Sequence, residues 1–141
     1  MKSILCAGLI AASTLMAPVS QAIAAPVGTV SCRSMSGETR QSPIAFSAIT
    51  PANDRNYSWV IVDDIGIHIL VLNQALQVIS AGTVEGQTIS PWNLVAYDSK
   101  PLTLDRNGTF SLDMMVSTRS SCQFQGTTVF LQGAETPLFS N

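Results

Sequence analysis

Apolar positions concentrate between Tyr57 and Tyr97, and the flanking stretches are more polar and more often broken by Gly, Pro and Ser. Tyr57–Val62 carries aromatic and β-branched residues and stops at Asp63-Asp64, which predicts a strand. Both of its sides are apolar, with Trp59 and Ile61 on one and Val60 and Val62 on the other. Such a strand is central in a two-layer structure or covered on both faces.

Ile65–Ala81 supports two readings. As a hairpin split at Asn73-Gln74, Ile67–Leu72 pairs with Ala75–Ser80. Val71 then meets Leu76 and Ile69 meets Val78 on a wholly apolar face, while His68, Leu70 and Leu72 share a mixed face with Gln77. As a helix, Ile65, Ile69, Leu72, Leu76 and Ile79 form an apolar stripe, with Asp63 or Asp64 capping the start and Gly82 the end. The β-branched residues and Gly66 lower helix propensity. Against the hairpin, Asn-Gln lacks the Gly that two-residue turns favour. The balance favours strands.

The remaining elements are shorter. Val27–Cys32 predicts a strand with Val30 and Cys32 on one face, Ser34–Pro43 a loop, and Ile44–Ile49 a strand with Ile44, Phe46 and Ala48 together. Thr50–Asn56 is the most polar loop and Thr83–Gln87 a turn. Thr88–Tyr97 reads as a strand interrupted by Pro91, which belongs at an edge or a bulge. Around Asn107-Gly108, a two-residue loop would separate the apolar residues onto opposite faces. A three-residue loop, Arg106–Gly108, sets Leu104 opposite Phe110 and Leu102 opposite Leu112, with Gly108 left-handed. Thr118–Ser121 turns into a last strand, Cys122–Leu131. Residues 132–141 form a loose tail that Leu138 and Phe139 can pin.

The expected fold is therefore all-β, a single antiparallel barrel or sandwich of about eight short strands. The alternative is an α+β domain with one helix at Ile65–Ala81.

The N-terminus changes what counts as the domain. Met1-Lys2, the apolar run Ile4–Met16 and the small-residue pair Ala22 and Ala24 have the layout of a secretory signal peptide, cleaved after Ala24. Residues 25–141 then form one domain in a bacterial periplasm or outside the cell. Cys6 departs with the signal, and Cys32 and Cys122 are left to form one long-range disulfide in an oxidising compartment. The full chain carries a net charge of −2 and only 11% charged residues, without a basic run, which argues against nucleic acid. No transmembrane segment is expected after cleavage.

Candidate chemistry is sparse. His68 is the only histidine and sits in the apolar GIHIL segment without a G-x-S-x-G motif, so a structural or surface role is favoured. Asp63-Asp64 suit a turn or cap better than a catalytic pair. Asn53–Asn56 lacks the spacing of a Ca²⁺ loop, and the two N-x-S/T sequons, at Asn56 and Asn107, are read as coincidence. No metal or cofactor is expected. Trp92, after a strand break at Pro91, and Tyr97 are the weak candidates for an exposed interaction patch. The function expected is a non-catalytic binding or interaction module of the cell envelope, inhibitor-like or ligand-binding. Its partner is a protein, an envelope component or a small apolar ligand. One alternative is a structural subunit that adds strands at a sheet edge near Pro91. The other is a small hydrolase using His68 or Asp54.

Overall fold

The computed structural model describes residues 25–94, 102–117 and 120–139. The strands are β1 (Gly28–Ser34), β2 (Thr39–Pro51), β3 (Tyr57–Asp63), β4 (Ile67–Leu72), β5 (Val78–Glu85), β6 (Thr88–Pro91), β7 (Leu102–Leu104), β8 (Thr109–Ser117), β9 (Ser120–Thr127) and β10 (Val129–Phe130). A short helix, α1 (Glu135–Phe139), follows. The signal-peptide reading of residues 1–24, and Tyr97, lie outside the described residues.

Nine strands form one antiparallel path, β6-β5-β4-β3-β2-β1-β9-β8-β7, and β10 joins the far end of β2 in parallel. Two meanders, β1–β6 and β7–β9, thus meet at the β1/β9 seam. Laid flat, nine strands would set the rims about 38 Å apart at about 4.8 Å per spacing. The eleven Cα–Cα steps from Pro91 to Leu102 reach at most about 40 Å, so a flat sheet would need this connection almost fully extended. The sheet accordingly curls into a half-barrel. Trp92 and Asn93 bridge its open side, with the Trp92 N–H bonded to the Ala81 carbonyl (2.9 Å) and the Asn93 N–H to the Met115 carbonyl (3.2 Å).

The concave face holds the core. Trp59, Ile61, Leu70, Leu72, Leu112 and Phe124 are fully buried within it. Trp59 packs edge-on against Phe110 at 4.9 Å and donates its indole N–H to Ser47 Oγ at 2.8 Å, so the largest core side chain carries no unmet donor. At one end α1 tucks Ala134 and Leu138 beneath the sheet. Arg106 fastens it, donating to the Phe139 carbonyl at 2.6 Å while lying over the Phe139 ring. The stretch expected as a loose tail is therefore docked as far as Phe139, with Leu138 one of its anchors.

The strand reading of Ile65–Ala81 holds and the helix alternative is excluded, but the hairpin register differs from expectation. Val71 pairs with Ser80 and Ile69 with Gly82, across a five-residue loop at Asn73–Gln77. Asn73 organises that loop, its Oδ1 accepting the N–H groups of Ala75 and Gln77. Leu76 takes the left-handed position (φ 63°) that a glycine would ordinarily mark. The inward residues are His68, Leu70 and Leu72, whereas Ile67, Ile69 and Val71 point outward. The mixed face that carries His68 is therefore the inner one, and the face of Ile67, Ile69 and Val71 the outer one.

Two other expectations need correction. Thr39–Pro43, read as loop, is the start of β2, because its polar residues line a strand with one solvated face. A bulge between Ile44 and Phe46 then shifts the alternation, so Ile44, Ser47 and Ile49 turn inward and Phe46 outward. The Arg106–Gly108 loop is as expected, with Leu102 opposite Leu112, Leu104 opposite Phe110, and Gly108 at φ 87°.

Where β1 begins, the chain leaving β9 passes towards β2, with Gly28 and Gly126 directly paired. A Cβ on Gly28 would meet the backbone of Gln125 and lie 2.8 Å from Gly126 Cα. Neither contact can yield as a flexible side chain would. Gly28→Ala is therefore expected to lower stability by about 1–3 kcal/mol in denaturant titration. A neutral result would mean that the two backbones do not pack this closely.

Candidate functional site

Two features stand out: a buried polar relay on the concave side and an apolar sheet face on the convex side.

The relay follows from register. His68 on β4 lies directly opposite Thr83 on β5, and both point inward. Asp63, at the end of β3, shares that side. His68 Nδ1 is 2.8 Å from Thr83 Oγ1 and Nε2 is 2.9 Å from Asp63 Oδ2. The other Asp63 oxygen accepts the N–H groups of Ile65 (2.8 Å) and Gly66 (3.2 Å), which shapes the β3–β4 turn. Trp92 completes the chain by donating its indole N–H to Thr83 Oγ1 at 2.9 Å.

An indole N–H can only donate. The Asp63 carboxylate only accepts, so Nε2–H donates to it, and in the neutral imidazole Nδ1 then accepts from Thr83, whose oxygen receives the Trp92 N–H. Every member is satisfied in that one direction. The imidazole is 2% exposed and lies between the rings of Trp92 and Phe124, at 5.6 and 5.5 Å.

The order carboxylate–imidazole–hydroxyl is that of a hydrolytic triad. Here, however, the hydroxyl oxygen already receives a hydrogen bond from Trp92, which withdraws electron density from the atom that would attack. A small cavity of about 190 Å³ opens beside it, bordered by Ile65, Thr83, Ser90, Val116 and Phe124. Ligand sites generally run to about 300–1,000 Å³. The relay joins β3, β4, β5 and the Trp92 bridge.

The residues named from sequence scatter. Cys32 and Cys122 form a disulfide between directly opposed positions on β1 and β9. Trp92 is not an exposed anchor, being 5% accessible and stacked on Phe124. Asp54 lies in the exposed 53–56 loop, where Asn53 Oδ1 accepts the N–H groups of Arg55 and Asn56. No group of three or more His, Cys, Asp or Glu among the described residues is placed to hold a metal.

Pairing generates the convex feature. Phe46, Val62, Ile67, Val84 and Ile89 stand directly opposite one another across β2 to β6. The next row runs Val129, Ala48, Val60, Ile69, Gly82 and Pro91. Ser58, Val71 and Ser80 make a third. Phe46, Ile67 and Ile89 are 47%, 43% and 57% exposed. None of these residues is charged. Around the barrel, over β1, β7, β8 and β9, the equivalent rows read Asp113, Gln123, Ser31, Gln41 and Thr103, Ser111, Gln125, Thr29. The exterior is thus divided into a polar half and an apolar half.

Sequence reasoning registered the two apolar sides of β3 but placed the outward one in a core. The outward alternation of Ile67, Ile69 and Val71 was the available signal. No protein-family model, curated protein or solved structure matches this chain.

Proposed function

We propose that the protein is an exported, non-catalytic interaction module that docks a protein partner on the outer face of β2–β6. The observation that carries this reading is the uncharged apolar face, with its exposed Phe46, Ile67 and Ile89 in one continuous row. Contiguous apolar surface of this kind costs solubility unless something covers it. The Cys32–Cys122 disulfide suits an oxidising compartment, in keeping with a periplasmic or secreted protein.

Other readings have less support. Strand addition would use β6, which is a rim strand but has four residues and ends at Pro91, whose nitrogen has no hydrogen to offer. A hydrolase would depend on Thr83, whose oxygen is held by Trp92. A small apolar ligand has the cavity of about 190 Å³ beside His68 and a second of about 310 Å³, bordered by Ile65 and Val116 but also by the charged Glu38 and Arg40.

The test is photocrosslinking in the cells that produce the protein, with a benzophenone amino acid replacing Ile67 or, as control, Gln123 on the polar half. Adducts at position 67 and none at 123 are expected. No adduct at 67, or equal labelling at both, would sink the reading.

A further inference from the structure

We infer that the occupant of this face is a second copy of the same chain, packed sheet on sheet about a two-fold axis. This rests on the reading of the face as a docking surface and supplies its partner.

A two-fold interface places a patch on itself, so whatever charge the patch holds is brought against its like. The β2–β6 face holds none, and self-apposition meets no electrostatic penalty. Its size is also adequate. Five strands about 4.8 Å apart, with three side-chain rows about 7 Å apart, cover roughly 24 by 20 Å. Two copies would then bury about 1,000 Å², the lower bound for a specific interface. Twisted sheets stack through such rows about 10 Å apart with their strands aligned to within about 30°. Gly82 adds to the cover, since its missing side chain lets Ile89 lie across β5.

A bilayer fits less well. Surface-seated proteins present Lys or Arg and interfacial Trp or Tyr around the apolar patch. Residues 57–91, which supply most of the face, contain no Lys or Arg, and their Tyr57 and Trp59 are buried inside. Spanning is opposed by the polar half of the exterior, where Asp113 and Gln123 would meet lipid.

The experiment is light scattering of the purified protein at about 100 μM, above the micromolar dissociation constants expected of so small an interface. Wild type and Gln123→Glu should both have twice the chain mass. Ile67→Glu, which sets two charges into the dimer seam, should raise the dissociation constant at least about 100-fold, so that on dilution to about 10 μM it is chiefly monomeric while wild type stays chiefly dimeric. Ile89→Glu serves as the second variant should Ile67→Glu fail to fold. An unchanged circular dichroism spectrum and melting temperature would show that only association was lost.

A monomeric wild type overturns the inference, as does a dimer that persists in a folded face variant. The photocrosslink separates this failure from that of the docking reading. An adduct at position 67 of twice the chain mass supports the second copy. An adduct of any other mass keeps the docking surface but removes the copy as its occupant, and no adduct removes both.

Discussion

Replacing His68 by Ala is expected to lower the unfolding free energy by about 3–5 kcal/mol, the range for breaking a buried polar pair by removing one partner. The cause is what remains. Asp63, whose side chain is 0% exposed, keeps the Ile65 and Gly66 N–H groups on one oxygen and loses the His68 N–H from the other. The ring also vacates space between Trp92 and Phe124, adding a cavity term. Asp63→Asn tests the direction of the relay. The new amide can face Nε2 with its NH₂, which forces His68 to donate from Nδ1 to Thr83. Thr83 would then receive two donors, Trp92 and His68, and its own hydrogen would have no acceptor. A cost of about 1–3 kcal/mol follows from that unmet group. Denaturant titration showing no loss for Asp63→Asn would mean that the Thr83 hydroxyl does not donate to His68.

The relay also explains why the mixed face of the hairpin, and not the wholly apolar one, turns inward. Of the two faces of Ile67–Leu72, the wholly apolar one looks like core and the one containing His68 looks like surface. That inference assumes a polar residue faces water. It fails once a polar residue brings its own partners, and those partners sit at Asp63 and Thr83, too far along the chain for periodicity to connect. The five-residue loop was concealed similarly, because Leu76 occupies a left-handed position without the glycine that would reveal it. By contrast, Asn107-Gly108 was legible in full, since only one loop length keeps Leu102, Leu104, Phe110 and Leu112 together. The disulfide was legible too, because reading residues 1–24 as a signal segment left Cys32 and Cys122 as the pair. Local chemistry and counting succeeded where a single register or pairing decided the matter. What periodicity does not decide is which face is interior, and the proposed interaction surface is the wholly apolar face that turns outward.

Removing the Cys32–Cys122 disulfide is expected to cost about 4–5 kcal/mol, because the bond closes a span of 90 residues in the unfolded chain. In the native state the two cysteines are already held opposite each other by the β1/β9 ladder, from Ser120–Ser34 to Gly126–Gly28. The bond therefore acts mainly on the unfolded ensemble, which without it is less compact. Two consequences follow in denaturant titrations of Cys32→Ala, Cys122→Ala and the double variant. Each single variant should lose nearly as much as the double, since either change removes the whole cross-link, so the separate losses sum to almost twice the combined one. The dependence of stability on denaturant should also steepen, because unfolding then exposes more surface. The seam identifies where the native state loosens first. It is the junction between the β1–β6 meander and the β7–β9 meander, so amide exchange should quicken most in β7–β9 while β3–β5, tied by the Asp63–His68–Thr83 relay, stays protected. A loss below about 1 kcal/mol with an unchanged denaturant slope would show that the unfolded chain stays compact without the bond.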